Sequence, residues 1–161
     1  MLKINLSKEA GFCFGVARAI EQVEKLIKSK KRPIFILGEL VHNEHVINKL
    51  KKRGIRIIDS LKAISKGTLV ITAHGADPKI ISRAKAKGLV VLDTTCPKVT
   101  YVHQIAKNLD KQGYKILIYG DKFHSEILGI LGEVDKRALV INGIEEARRV
   151  KIKSGDKIGL I

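Results

Sequence analysis

A chain of 161 residues with 45% apolar and 29% charged content holds one ordinary domain or two small α/β units, which excludes disorder, fibrous repeats and a disulfide-stapled miniprotein. No stretch nears the roughly 18 unbroken apolar residues that span a bilayer, and MLKINLSKEAGF lacks the apolar run of a signal peptide, so a cytoplasmic protein with reduced thiols is expected. The formal charge of +15 suits phosphorylated metabolites, nucleic acid or acidic proteins, but 4% aromatics and no Trp leave few platforms for stacking bases.

Short runs rich in Ile, Val and Leu predict strands at 2–6, 34–38, 55–58, 69–73, 89–93, 114–119, 137–141 and 156–161. Helices fit between them. Val16, Ile20, Val23 and Ile27 recur at helical spacing, as do Val46, Ile47 and Leu50. Asp77-Pro78 reads as an N-cap followed by a first-turn proline, and Pro97 opens a helix that ends near Gly113. Strands alternating with helices predict parallel α/β layers.

One pattern occurs twice. Residues 13–44 hold Cys13, Val16, a helix, the strand IFILG and then G-E-L-V-H-N-E. Residues 96–126 hold Cys96, Val99, a helix, the strand ILIYG and then G-D-K-F-H-S-E. The offset is 83 at the cysteines and 82 at Gly38/Gly120, His42/His124 and Glu44/Glu126. Packing explains matched strands and helices but not matched Cys, His and Glu in loops, so a duplicated unit with chemistry in its loops is expected. The units divide as 1–95 and 96–161. The strand from Gly67 that leads into His74 has its counterpart at Gly155–Ile161, so the second unit reads as truncated at its last strand.

Cys13 and Cys96 each stand between a strand and a helix start, where the helix dipole favours thiolate, the form that ligates metal. Either alone would read as an inert buried residue; the matched pair reads as metal ligands. Two thiolates do not complete a zinc or iron–sulfur site, and a third unit with a third cysteine would complete the pattern. His42, His74 and His124 each follow a strand, where α/β sheets place ligands, and suggest a cluster that binds an anion or transfers protons. Glu126 is close enough to His124 to act with it as an acid, or serves the helix dipole. His45 and His103 read as structural.

At A-G-F-C-F-G-V-A-R-A-I, G-E-L-V-H-N-E-H-V-I, T-A-H-G-A-D and D-T-T-C-P-K-V the chain resembles the 4-hydroxy-3-methylbut-2-enyl diphosphate reductase (IspH or LytB) family. The motifs follow the family's order over nearly the whole chain, which matches about the first half of a family enzyme. The resemblance implies a pseudo-threefold trefoil of α/β units around a [4Fe-4S] cluster, of which this chain holds two. It implies reductive removal of an allylic hydroxyl from a diphosphate substrate, the last step of the methylerythritol phosphate route. By position Cys13 and Cys96 match two of three cluster ligands. His42, His74 and His124 match the substrate pocket, and Glu126, with His124, the catalytic acid. The implied partners are a ferredoxin- or flavodoxin-type electron donor and a separate C-terminal half. His124-Ser125-Glu126 departs from the family's His-Pro-Glu but keeps both functional side chains. The alternative is a non-catalytic remnant that binds an anion or a partner; nucleic-acid binding rests on charge alone.

Overall fold

The computed structural model describes residues 3–7, 10–29, 33–134 and 138–161. In chain order the elements are α1 (Phe14–Lys28), β1 (Ile34–Leu37), α2 (Glu44–Lys52), β2 (Arg56–Ile58), β3 (Thr68–Ile71), α3 (Pro78–Ala86), β4 (Val90–Asp93), α4 (Pro97–Lys111), β5 (Lys115–Tyr119), α5 (Ser125–Glu133), β6 (Leu139–Ile141), α6 (Ile144–Arg148) and β7 (Ile158–Leu160). The strands form two all-parallel sheets, ordered β2-β1-β3-β4 and β6-β5-β7. In both, the strand before the Gly-x-x-x-His loop is central, and its neighbours arrive in the same order. The twofold pattern of the sequence is therefore a twofold pattern of topology.

Side-chain alternation assigns the two faces of the first sheet. Ile34, Ile36 and Val70 point to one layer, with Ala19, Val23 and Ile27 of α1 and Ile47 and Leu50 of α2. Phe35, Leu69 and Ile71 point to the other, with Ala84 of α3 and Leu61, Ile64 and Leu89. A sheet covered on both faces needs strands apolar at every position, which is why IFIL and TLVI read as continuous runs. Each such side chain contributes about 1.5–3 kcal/mol on burial.

The second sheet is covered on one face. Ile116 and Ile118 pack on Ala106 of α4 and on Ile127 and Ile130 of α5. The face that corresponds to the α3 side of the first sheet leaves Tyr119 66% and Leu160 69% exposed.

Seven of the eight expected strands form, within a residue or two at each end. The exception is 2–6: residues 3–6 are not strand, and Ile4 and Leu6 are 80% and 83% exposed. Among the described residues they pair with no strand of either sheet, and an extended segment without a hydrogen-bonded partner is not a strand. Residue 2 of that span, and residue 137 of the span 137–141, lie outside the described residues. The short helix α6 carries no apolar period and was not expected. Among the described residues no helix is long and apolar enough to cross a membrane.

Helix starts follow the capping rules. The Asp77 carboxylate accepts from the Lys79 N–H at 2.8 Å ahead of Pro78, and the Asn43 side chain accepts from the Val46 N–H at 3.1 Å. Asn43 thereby fixes the end of the loop that carries His42. Replacing it, Asn43→Ala, is expected to cost about 1 kcal/mol. That corresponds to a melting temperature lower by about 2–4 °C, measurable by calorimetry.

Candidate functional site

The loops that leave the carboxyl ends of the strands are stitched together by backbone hydrogen bonds. Ala73 N–H, after β3, donates to the Leu40 carbonyl after β1 at 3.3 Å, and Cys96 N–H, after β4, donates to the Ala73 carbonyl at 2.9 Å. Arg18 of α1 adds a bond from its Nη1 to the Thr95 carbonyl at 3.1 Å. The His42, His74 and Cys96 loops therefore move as one body with the first turns of α1.

Cys13 and Cys96 cap the two matched helices. Each is the N-cap of a 15-residue helix, has an extended backbone and makes no side-chain cap bond. Both thiols are free, Cys13 exposed and Cys96 half-buried. A Cβ built at Gly15 would lie 2.5 Å from Cys96 Sγ, so glycine is what lets the helix that begins after Cys13 approach the second thiol. Among the described residues no group of three or more His, Cys, Asp or Glu is disposed to hold a metal ion.

The three loop histidines meet. The His42 and His74 rings stack with centroids 4.4 Å apart, and His124 lies 5.5 Å from His42 and 5.7 Å from His74. Equivalent residues of the two repeats touch directly, His42 Nε2 to His124 Nε2 at 3.3 Å. His124 Nδ1 accepts from the Glu126 N–H at 3.3 Å as the N-cap of α5, so its Nε2 carries the proton of the neutral ring. That Nε2–H then donates to His42 Nε2, which leaves the His42 proton on Nδ1, facing Glu39 Oε2 at 3.5 Å. One tautomer set satisfies the whole chain from Glu126 to Glu39.

Electrostatics keeps this cluster uncharged at its centre. Burial pushes the His74 imidazole below its ordinary pKa of 6.5, and the neighbouring His42 and His124 push the same way. Glu126 and Glu39 oppose the shift. Glu126 thus lies within electrostatic reach of His74 as well as on the turn that caps His124.

Sequence reading singled out His42, His74, His124 and Glu126, and these converge; Cys96 lies against the helix that Cys13 begins. His45 is exposed on α2 and His103 is buried in α4, outside the cluster. Arg18 and Glu39 went unnoticed. Glu39 was visible in the repeated G-[ED]-x-x-H pattern, but its contact with His42 depends on the loop turning back after β1. Arg18 had no signal in the sequence, because its partner is a backbone carbonyl 77 residues away.

The model of the family described as LytB protein matches residues 4–161. The chain belongs to the LytB family. It is 38% identical over 159 residues to the 4-hydroxy-3-methylbut-2-enyl diphosphate reductase of Chlamydia trachomatis, covering 98% of this chain and 52% of that one. The reductase of the same name from Caldanaerobacter subterraneus is 39% identical over 153 residues, covering 92% and 53%. The solved E-1-hydroxy-2-methyl-but-2-enyl-4-diphosphate reductase of Plasmodium falciparum superposes with a TM-score of 0.90 at 33% identity, over 96% of this chain and 49% of that one. This LytB chain spans about half the length of the curated relatives it matches.

Two outcomes follow from the histidines and their helix. The unfolded chain protonates His74 near 6.5 while the folded chain resists, so stability present above that pH is lost as pH falls through the lowered folded value. Urea midpoints measured from pH 7.5 to 5 should fall, and His74→Gln should flatten that fall. Separately, Ser125 is the first residue of α5 and follows an extended His124, a setting that proline accepts. Ser125→Pro should stabilise by about 0.4–1 kcal/mol, read as a melting temperature raised by about 1–4 °C.

Proposed function

We propose that this chain supplies two of the three α/β units of a 4-hydroxy-3-methylbut-2-enyl diphosphate reductase, dividing at residues 1–95 and 96–161. The reaction replaces the allylic hydroxyl by hydrogen, giving isopentenyl and dimethylallyl diphosphates in the methylerythritol phosphate route. Each turnover consumes two electrons and two protons and releases the hydroxyl as water. The observation that carries this reading is the convergence of His42, His74 and His124 from three strand ends into ring contact.

Three imidazoles at the mouth of parallel sheets suit a diphosphate. His124 Nε2–H turns from His42 to a phosphate oxygen, and the stacked His42 and His74 rings offer further N–H donors. Lysines on the surface raise the local concentration of an anionic substrate, within the roughly 8 Å reach that physiological salt allows. Glu126 acts as the acid. Loss of hydroxide from carbon is slow unless the oxygen is protonated, and a carboxyl beside His124 meets that need.

Cys13 and Cys96 would hold two irons of a [4Fe-4S] cluster. The donor set fits that role, because both are free thiols at the N-termini of long helices, where thiolate is favoured. The cluster, when bound, supplies the two electrons, received from a ferredoxin- or flavodoxin-type protein. The third cysteine would come from a separate C-terminal half, and free thiols suit a cytoplasmic setting.

Anaerobic reconstitution with iron and sulfide is expected to give this chain only a weak cluster absorbance, lost on Cys13→Ser or Cys96→Ser. Mixed with the C-terminal half of a family relative under reducing conditions, the chain should convert the allylic diphosphate, and Glu126→Gln should lower turnover by about 100-fold or more. No turnover in the mixture would favour a non-catalytic remnant that binds an anion.

A further inference from the structure

The helix that begins with His124 and Glu126 meets the first unit through two glycines. A Cβ at Gly132 would lie 2.7 Å from the Asp77 carboxylate and 2.9 Å from Pro78 Cδ. A Cβ at Gly129 would lie 2.8 Å from His103 Cε1 and 3.0 Å from Nε2. The same edge of the ring meets Gly75, whose Cβ position is 3.3 Å from His103 Cε1, and the Gly129 Cβ position lies 3.7 Å from the Ala76 backbone nitrogen. The imidazole of His103 on α4 therefore abuts both the residue that follows His74 and the helix that follows His124, at the place where the two meet. The side chain is 8% exposed, and its Nε2 has no hydrogen-bond partner among the described residues. Replacing Nε2 by an apolar group of similar size costs no hydrogen bond at that atom, which makes the packing volume of the ring the quantity to test.

We propose that His103 is a positioning residue: its ring edge, on which Gly75 and Gly129 both pack, limits how closely α5 approaches the His74 loop, and with it the spacing of the three-histidine cluster. Two edges of the cluster join the units, His42–His124 and His74–His124, and both depend on how far α5 stands from the first unit. A methyl group added at Gly129 drives the ring and the helix apart. A side chain shortened at position 103 lets α5 approach the loop more closely. A volume-conserving replacement preserves the spacing.

The binding readout rests on the anion-binding reading above, and ring NMR does not. The test uses this chain with His103→Ala, His103→Leu, Gly129→Ala and the double variant, each verified as folded by amide NMR dispersion. Ring-proton shifts and inter-ring contacts of His42, His74 and His124 are measured, together with calorimetric affinity for inorganic pyrophosphate. Gly129→Ala and His103→Ala should each disturb the ring signals and weaken pyrophosphate by about fivefold or more. The double variant and His103→Leu should recover to within about twofold of the parent. If His103→Ala does not fold, the Gly129→Ala and His103→Leu pair decides alone. Ring signals and affinity unchanged in Gly129→Ala, with only the unfolding midpoint altered, would overturn the proposal. So would purely additive effects in the double variant. A parent chain that does not bind pyrophosphate sinks the anion reading alone, and the ring signals then still decide for or against His103.

Discussion

The site depends on a contact between like residues of two repeated units. His42 and His124 occupy the same place in each repeat, and their Nε2 atoms meet at 3.3 Å. Each histidine alone is a loop side chain at a strand end. Together with His74 they form a cluster of three rings that neither repeat contains alone. Everything that fixes the relative position of the units therefore acts on the cluster, and α5 packs closely on the loop from Ala76 to Pro78. Close contacts over glycine transmit small displacements, because a packed interior does not deform smoothly.

Charge follows from that geometry. Burial pushes the His74 imidazole below its ordinary pKa, and the neighbouring His42 and His124 push it the same way. The neutral state has a defined hydrogen-bond order running from the α5 backbone through His124 and His42 toward Glu39.

The cysteines follow the same logic of repetition. Each caps a long helix after a strand, and the backbone ties Cys96 to the His74 loop through Ala73. Thiol, imidazole and carboxyl groups are thus gathered at one end of the parallel strands, where backbone donors and helix N-termini also point. This polarity is a consequence of parallel pairing: with every strand running the same way, all the loops that follow strands fall on one side.

The sequence by itself determined the alternation of strands and helices, the twofold repeat and the identity of the loop residues that carry chemistry. Those are local properties: apolar period, capping chemistry at Asp77 and Asn43, and residue types at a fixed offset. The apolar alternation at 3–6 misled because a strand also needs an edge to join, which no local pattern reports. Tertiary structure alone decided that the three histidines touch, that Arg18 grips the Thr95 carbonyl and that Gly75 and Gly129 both pack on the His103 ring. These contacts join residues far apart in the chain, and their distances are set by how two sheets and their helices pack, a balance no single segment encodes.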